Sequence, residues 1–396
     1  MIINAMQPIT QFVKPTRPAL NHLIQLDGVR FIAVALVLFD HWTMERIALP
    51  VGALGALGVT IFFVLSGFLI TRILLSSKDK LSNQPGRYGV PGGLGKYLKT
   101  FYIRRTIRIF PVYYLTLIIL ALVNEPPVRE KFAWLALYGT NIYIALKHTW
   151  MGTVDHLWSL AVEEQVYMFL PLLLFFVPRR FVPLTAFLMI IGSVAMRYVL
   201  YRAQMPWFIG YVSTPTCLDA FGLGALMAYG WLYQRDRFDR FFRSSIWVWL
   251  SLLLFIGVGI LNHWISIDSP RGYHNVMSDV WERLAASLFG FFLIGRAVLG
   301  FGGVMKWILE NPVSQYMGRI SYGLYLYHNF VFNVYHTKPT HFTVRSWNWL
   351  TNHLPVLNST YFFQFSFFVL LTILLATISW FLIEKPINSL KDRFSY

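Results

Sequence analysis

Residues 54–75 read LGALGVTIFFVLSGFLITRILL, and Arg72 is the only charged residue in this stretch. A helix of about 20 apolar residues is long enough to cross the roughly 30 Å hydrocarbon core of a bilayer. The excess of apolar over charged residues extends to the whole chain of 396 residues, of which 56% are hydrophobic and only 13% are charged. Because soluble domains carry about 25% charged residues, this sequence predicts an all-α, polytopic membrane protein.

The number of crossings follows from the apolar segments and from Lys and Arg, which membrane proteins concentrate in cytoplasmic loops. Most loop Lys and Arg residues lie on one side of the membrane only if the short apolar segment 132–145 does not cross it. We therefore predict about ten transmembrane helices with both termini in the cytoplasm, and a re-entrant or interfacial helix at 132–145. The chain then divides into a cytoplasmic segment at 1–25, a transmembrane domain at 26–384 and a cytoplasmic tail at 385–396. The candidate spans lie near 28–47, 54–75, 104–123, 156–177, 181–200, 216–234, 245–262, 283–301, 315–336 and 360–383.

The composition disfavours nucleic acid and metal as partners. The net charge of +16 would suit nucleic acid in a soluble protein, but no basic stretch carries the interleaved aromatic residues of a nucleic-acid platform. The single cysteine, Cys217, excludes an internal disulfide, a cysteine-based zinc site and an iron–sulfur cluster. We therefore expect neither nucleic acid nor a bound metal ion.

The first predicted span carries several ionisable side chains, which are costly inside a membrane and are therefore candidate functional groups. They include Arg30, Asp40 and His41. Arg30 and His41 are eleven residues apart, so they share one face of a helix and lie about 16 Å apart along its axis. The structural alternative is an Arg30 that reaches the membrane surface and a His41 bonded to a neighbouring carbonyl.

A second group of polar residues lies where the chain is expected to re-enter the membrane. His156, Ser159, Glu163 and Tyr167 recur at spacings of three and four, which places them along one stripe of a helix. The structural alternative is an ion pair that holds two spans together. A third group, Ser321, Tyr325 and His328, also shares one helix face, a pattern that is more typical of contacts between helices when it stands alone.

A basic cluster precedes the third predicted span. Arg105 and Arg108 are three residues apart and form a fork that suits phosphate oxygens. Ordinary anchoring to anionic lipid is the alternative for each arginine. Together, the buried histidine, a carboxylate near it and this phosphate-binding edge predict transfer of a group from a phosphate-bearing cytoplasmic donor to an acceptor within the membrane.

In these motifs the sequence resembles the membrane acyltransferase-three family, which contains integral O-acyltransferases of bacterial surface glycans. The resemblance covers nearly the whole chain, and its motifs lie in the family's order. It looks like the stand-alone form, which lacks an appended esterase-like domain. The matching stretches are Leu26 to Arg30 with His41, the run from Phe62 to Ile70, Arg105 and Arg108 with Pro111 and Tyr113, His156 to Gln165, Ser321 to His328, and Phe381 to Pro386.

The resemblance implies an acyl-CoA donor, most simply acetyl-CoA, and O-acetylation of a polysaccharide, lipopolysaccharide or glycolipid hydroxyl outside the bacterial inner membrane. By position, His41 would be the catalytic histidine, Arg30 its partner in the motif and Glu163 a functional acid. Arg105 and Arg108 would hold the donor's phosphates. The remaining candidates are Arg104 and Arg72 for the donor, and His328, Tyr325, Ser321, His156, Trp158 and Asp40 for the acceptor.

Several alternatives stay open at the level of sequence. We expect His41 to act as general base, but a covalent acyl-histidine intermediate is a competing route. Either Asp40 or Glu163 could stabilise the protonated imidazole. The acyl group, the acceptor (O-antigen, exopolysaccharide, a lipochitin signal or a macrolide-like metabolite) and the oligomeric state are not determined. From another functional class, a transporter or flippase would place Arg30, His41 and Glu163 along a translocation path.

Overall fold

The computed structural model describes residues 23–43, 52–82, 91–268, 274–333 and 336–394. Within these ranges the chain is a bundle of helices without a β-strand, so the all-α prediction is confirmed. Residues 1–22, which form most of the predicted cytoplasmic segment 1–25, lie outside the described residues.

Eighteen α-helices are found in the described ranges, and π-helical turns precede α12 and α18 at Met277–Trp281 and Trp380–Glu384. In chain order the helices are α1 (Ile24–Thr43), α2 (Leu54–Ser82), α3 (Pro91–Leu122), α4 (Phe132–Ala136), α5 (Thr140–Lys147), α6 (Leu157–Phe176), α7 (Val182–Arg202), α8 (Trp207–Val212), α9 (Leu218–Tyr233), α10 (Arg235–Phe242), α11 (Ile246–Ser266), α12 (Glu282–Leu299), α13 (Gly303–Glu310), α14 (Pro312–Arg319), α15 (Ser321–Val331), α16 (Phe342–His353), α17 (Tyr361–Ser379) and α18 (Lys385–Ser389).

The predicted count of about ten spans is not confirmed. Among the described residues, six helical segments are individually long and apolar enough to cross a membrane. A seventh arises if Met277–Leu299 and Gly303–Glu310, which meet at 90°, form one span. Helices also lie at the other predicted positions, but α1 carries three charged residues, α9 has only 16 residues, and the segment predicted at 315–336 is broken at Ile320. The six segments are Leu54–Leu81, Gly93–Leu122, Leu157–Phe176, Arg179–Arg202, Ile246–Ser266 and Tyr361–Ser389.

The short apolar segment at 132–145 forms two helices rather than one. Phe132–Ala136 and Thr140–Lys147 are separated by Tyr138, which has a positive φ of 52°. Their 5 and 8 residues are too few for either helix to cross a bilayer. Tyr113 on α3 donates a hydrogen bond to the Leu135 carbonyl oxygen at 2.8 Å, so this segment is tied to the helix that precedes it.

Helix α2 lies at the centre of the bundle and packs against α1, α6, α9 and α12. Its crossing with α9 depends on two glycines. A Cβ atom on Gly224 would lie 2.3 Å from the Val64 carbonyl oxygen, and one on Gly67 would lie 2.5 Å from the Phe221 carbonyl oxygen. Because no side chain fits at either point, the two backbones can approach closely, as they do at small-residue interfaces in membrane proteins.

A buried ion pair joins α7 to α9. Arg197 Nη2 lies 3.0 Å from Asp219 Oδ2, and the two side chains are only 1% and 0% exposed. Ser193 and Ser287 donate further hydrogen bonds to the same carboxylate, so α12 is included in the network. Arg197 also donates to the Thr216 carbonyl oxygen at 2.7 Å. These added bonds offset part of the cost of removing both charges from water.

We predict that Asp219→Ala destabilises the protein strongly, because it leaves the Arg197 charge buried without its partner. The expected loss in free energy of unfolding is about 3–5 kcal/mol, measured by thermal unfolding of the purified protein in detergent. Asp239→Ala is the matched control, since it breaks a pair with Arg235 in which the side chains are 35% and 41% exposed. Equal losses for the two variants would contradict this assignment.

Candidate active site

Three histidines, on α1, on α15 and directly before α6, meet near the end of α1. His41 lies in the last turn of α1, and its Nδ1 is 2.8 Å from Nε2 of His328 on α15. The two rings are stacked, with centroids 5.0 Å apart. His156 directly precedes α6 and presents its ring edge to His328, again with a centroid separation of 5.0 Å. His328 is 0% exposed and His156 is 2% exposed, so the cluster is internal.

Backbone carbonyls hold two of these rings. His328 Nδ1 lies 2.6 Å from the Tyr325 carbonyl oxygen, and His156 Nε2 lies 3.1 Å from the Leu326 carbonyl oxygen. Both nitrogens act as donors, because a carbonyl oxygen only accepts. In the part of the chain that the structure describes, no group of three or more His, Cys, Asp or Glu residues is placed to hold a metal ion.

A large cavity opens beside His41, and we call it the histidine cavity. Its volume is about 810 Å³, and it is lined by His41, His156, Asp40 and Trp158, all of which the sequence predicted as site residues. Its walls also carry a cluster of aromatic and amide side chains that sequence reasoning did not single out. They are Trp150, Trp207, Tyr211, Asn262, Asn329 and Asn333.

An acid–histidine pair on the wall of the histidine cavity was also missed from the sequence. His336 Nε2 lies 2.8 Å from Asp155 Oδ2. Burial raises the pKa of Asp155, and its hydrogen bond with His336 opposes that rise. Asp155 adjoins the motif that begins at His156, but His336 follows the end of α15 in irregular structure. No helical spacing therefore marks His336 in the sequence.

Asp40 is the carboxylate beside His41 in the histidine cavity, but it is not hydrogen-bonded to the imidazole. It accepts hydrogen bonds from the backbone amides of Leu54 and Gly55 at the start of α2. This is a favourable position for a negative charge, because the amides at a helix N-terminus lack partners within the helix. The other oxygen, Oδ1, is buried and has no hydrogen-bond partner. Asp40 therefore caps α2.

A second, smaller cavity collects the arginines, and we call it the arginine cavity. Its volume is about 110 Å³, and it is lined by Arg30, Arg105, Arg108 and Glu163 among others. Arg30 forms an ion pair with Asp27 one turn earlier on α1. Arg30 and His41 therefore line different cavities, although both belong to α1. The predicted site residues Ser321 and Tyr325 also face the arginine cavity.

Glu163 is held by a short chain of hydroxyl groups. Ser66 donates a hydrogen bond to Glu163 Oε1 at 2.7 Å, and Tyr167 donates to Ser66 Oγ at 2.9 Å. The Arg105 guanidinium lies 4.6 Å from the centre of the Tyr167 ring. The sequence left open whether Asp40 or Glu163 is the carboxylate that serves His41, and the structure places Asp40 beside His41 and Glu163 with the arginines.

Arg108 is the arginine that is most available to a ligand. Among the described residues it has no hydrogen-bond or ion-pair partner, and its side chain remains exposed within the cavity wall. A guanidinium offers five N–H donors in a fixed fork that matches phosphate oxygens. The arrangement of Arg108 with Arg30 and Arg105 can therefore receive an anion, with Glu163 marking the acidic wall of the same cavity.

Arg104 and Arg72 do not line the arginine cavity. Arg104 donates hydrogen bonds to the carbonyl oxygens of Lys391 and Phe394, at 2.7 and 2.6 Å, and so ties the C-terminal residues to α3. Arg72 lies 5.6 Å from the centre of the Phe68 ring on α2. Burial and the neighbouring guanidinium groups of α3 lower the pKa of Lys391 to about 7. The guanidinium groups at this end of α3 therefore add to the effect of burial in disfavouring the charged form of Lys391.

A thin layer of side chains separates the two cavities, which have no lining residue in common. Tyr325 and Ser159 line the arginine cavity and contact each other through their hydroxyl groups. The Tyr325 hydroxyl donates to the His156 carbonyl oxygen at 3.0 Å, and His156 lines the histidine cavity. We call the Tyr325–Ser159 pair the partition. Because Ser159 contacts a phenol and a carbonyl rather than an imidazole, it lacks the base that a nucleophilic serine needs.

Comparison with known proteins adds a family context to this geometry. A family model described as an acyltransferase domain matches residues 23–384. A provisionally named O-acetyltransferase of Staphylococcus aureus strain MRSA252 is 29% identical over 405 residues, which cover 95% of this chain and 60% of the relative. O-acetyltransferase OatA of S. aureus strain NCTC 8325 is 27% identical over 393 residues, which cover 93% of this chain and 57% of OatA. The chain thus spans about 60% of the length of the curated relatives it matches. No solved structure matches it.

We predict that the two cavities open on opposite sides of the membrane. Ala56 lines the histidine cavity and Ser66 the arginine cavity, and both lie on α2. In a Cys217→Ser background, a small sulfonated methanethiosulfonate should modify Ala56→Cys only from outside, and Ser66→Cys only in inverted vesicles. The cysteine-free parent gives the background. Modification of both variants from the same side would contradict the prediction.

Proposed function

The chain belongs to the acyltransferase-domain family whose model spans residues 23–384, and from that premise we propose that it transfers an acyl group from cytoplasmic acyl-CoA to a hydroxyl group. The donor we propose is acetyl-CoA. The acceptor is a glycan or glycolipid on the outer side of the bacterial inner membrane, and both termini of the chain lie in the cytoplasm. His41 acts as general base in this proposal.

The observation that carries the proposal is the position of His41 relative to the two cavities. Its imidazole is partly buried, is bonded through Nδ1 to His328, and lines a cavity large enough for a sugar. The arginine cavity begins on the far side of the partition. Transfer between two substrates that arrive from opposite sides of the membrane requires a base that faces one compartment. It also requires a site for the anionic donor close to that base, and here one layer of side chains separates the two.

The arginine cavity supports a donor that carries phosphate groups. Arg30, Arg105 and Arg108 come from α1 and α3 and line the same space. The volume of about 110 Å³ is too small for a whole nucleotide. In our proposal the phosphates of CoA therefore bind at the mouth of this cavity, and the narrow pantetheine arm enters it. The thioester then reaches His41 past Tyr325 and Ser159.

The proposed chemistry needs only groups that are present and the two substrates. The acceptor hydroxyl oxygen attacks the thioester carbonyl carbon, while Nε2 of His41 takes the hydroxyl proton. The C–S bond then breaks, and the protonated imidazole returns its proton to the leaving CoA thiolate. The products are an ester of the acceptor and free CoA, and His41 regains its original state.

The walls of the histidine cavity support a polyhydroxyl acceptor. Trp150, Trp207 and Tyr211 form one connected aromatic cluster, with ring centroids 5.6–6.4 Å apart. Flat aromatic faces pack against the apolar faces of sugar rings, and amide and carboxylate groups bond their hydroxyls. Asn329 supplies such a group beside His41.

We expect His41→Ala to abolish acetyl transfer without unfolding the protein. General-base catalysis contributes about 10²–10⁴-fold to a rate, so kcat should fall by at least about 10²-fold, measured as ester formed from radiolabelled acetyl-CoA in proteoliposomes. His353→Ala is the matched control, because that histidine is exposed on α16 and bonds only within its own helix. Full activity of His41→Ala would refute the proposed base.

We expect Arg108→Gln to weaken donor binding, because hydrogen bonds to a charged group contribute about 1.5–3 kcal/mol each. The KM for acetyl-CoA should rise about tenfold or more, with a smaller change in kcat. Arg240→Gln removes the same charge from an exposed site on α10, which we place on the cytoplasmic side, and should leave this KM unchanged. An unaltered KM in Arg108→Gln would count against the arginine cavity as the donor site.

A further inference from the structure

The hydrogen-bonding role of each nitrogen in the His41–His328 pair follows from a backbone carbonyl. His328 Nδ1 faces the Tyr325 carbonyl oxygen at 2.6 Å. Carbonyl oxygens only accept, so His328 Nδ1 carries a hydrogen atom. His328 is 0% exposed and has no carboxylate bonded to it in the described part of the chain. A charged imidazolium there would be costly, so the ring is neutral and its Nε2 holds a lone pair.

The same reasoning applies to His41, because its Nδ1 lies 2.8 Å from Nε2 of His328. Since His328 Nε2 can only accept, His41 Nδ1 must donate and therefore carries the hydrogen of the neutral ring. The lone pair of His41 is then on Nε2. We propose that His328 is a positioning residue that holds His41 in this tautomer, so that Nε2 is the basic atom that faces the acceptor. This inference rests on the proposed function and identifies the residue that prepares its base.

The pairing also suits the proton transfer itself. When Nε2 of His41 takes a proton, its Nδ1–H becomes the donor of a charge-assisted hydrogen bond to His328, which is stronger than the bond between neutral rings. His328 needs no proton transfer of its own, because its Nδ1–H stays on the Tyr325 carbonyl. The adjacent His156 is held on the Leu326 carbonyl and does not compete for His328 Nε2.

Asn329 is the residue that would hold the opposite tautomer. Its amide lies near the His41 ring, and a carbonyl oxygen that accepted from Nε2 would place the hydrogen there. That oxygen accepts a hydrogen bond from Asn333 Nδ2 at 2.7 Å, and its second lone pair would accept from His41 only if the hydrogen were on Nε2. The contact of 2.8 Å between His41 Nδ1 and His328 Nε2 requires the hydrogen on Nδ1, because His328 Nε2 only accepts.

The test compares two substitutions of equal length at His328. The amide oxygen of His328→Gln reaches the position of Nε2 and can accept from His41 Nδ1–H, whereas His328→Met fills the same space and offers at most a weak acceptor. We expect His328→Met to lose about 10²-fold or more in kcat with little change in either KM. His328→Gln should stay within about tenfold of wild type. A purely structural role would make the two variants equal, or favour the apolar Met at this buried site.

A second measurement does not depend on turnover or on how the variants fold. The ¹⁵N chemical shifts of His41 in the wild-type protein, assigned by comparison with His41→Asn, distinguish Nδ1–H from Nε2–H in a neutral ring. We expect the hydrogen on Nδ1, and a hydrogen on Nε2 would overturn the inference. If wild type is active and His41→Ala is not, but the Met and Gln variants at His328 are equally active, this inference fails and the proposed function stands. If wild-type protein transfers no acyl group, the proposed function fails, and the shifts still decide the tautomer.

Discussion

The hydrogen bond between His41 and His328 satisfies a requirement that applies throughout the bundle. A polar group that is buried among apolar helices must find a hydrogen-bond partner inside the protein. One bond from His41 fixes α1 against α15, and two carbonyls of α15 fix the rings of His328 and His156. The cluster therefore joins α1, α15 and the start of α6. Once these helices are fixed, the histidine cavity has a defined wall, and the imidazole of His41, the base in our proposal, has a defined direction.

Four helices contribute residues to both cavities, which explains how one bundle provides two sites. Along α1 and α15 the chain runs from the arginine cavity to the histidine cavity, and along α2 and α6 it runs the other way. The pair Arg30 and His41 illustrates this on α1, since eleven residues of helix separate them by about 16 Å. The two short helices between α3 and α6, Phe132–Ala136 and Thr140–Lys147, are each too short to add a crossing between them.

The sequence predicted the residue types of the site better than their grouping. Helical spacing placed His156, Ser159 and Glu163 on one stripe, and they do follow one side of α6, but the stripe crosses the partition. Helical periodicity predicts which face of a helix a residue occupies, but it does not predict which cavity lies against that face at the depth of the residue. Glu163 was therefore expected near His41 and instead bonds to Ser66. The fold class followed from composition and the apolar segments, whereas the predicted count of about ten spans is not confirmed. Helix α1 carries three charged residues, and the segment predicted at 315–336 is interrupted at Ile320.

The partition differs in kind from the histidine cluster that it borders. Tyr325 and Ser159 meet through two hydroxyl groups that can rotate and exchange partners, and each such bond contributes only about 1 kcal/mol net. The rings of His328 and His156, by contrast, are held by backbone carbonyls of α15, which cannot move without disturbing the helix. In the reaction that we propose, a thioester that passes between the cavities therefore needs to displace only the hydroxyl pair. The proposed base, His41, is held by the fixed ring of His328, next to a boundary that a substrate can open at low cost.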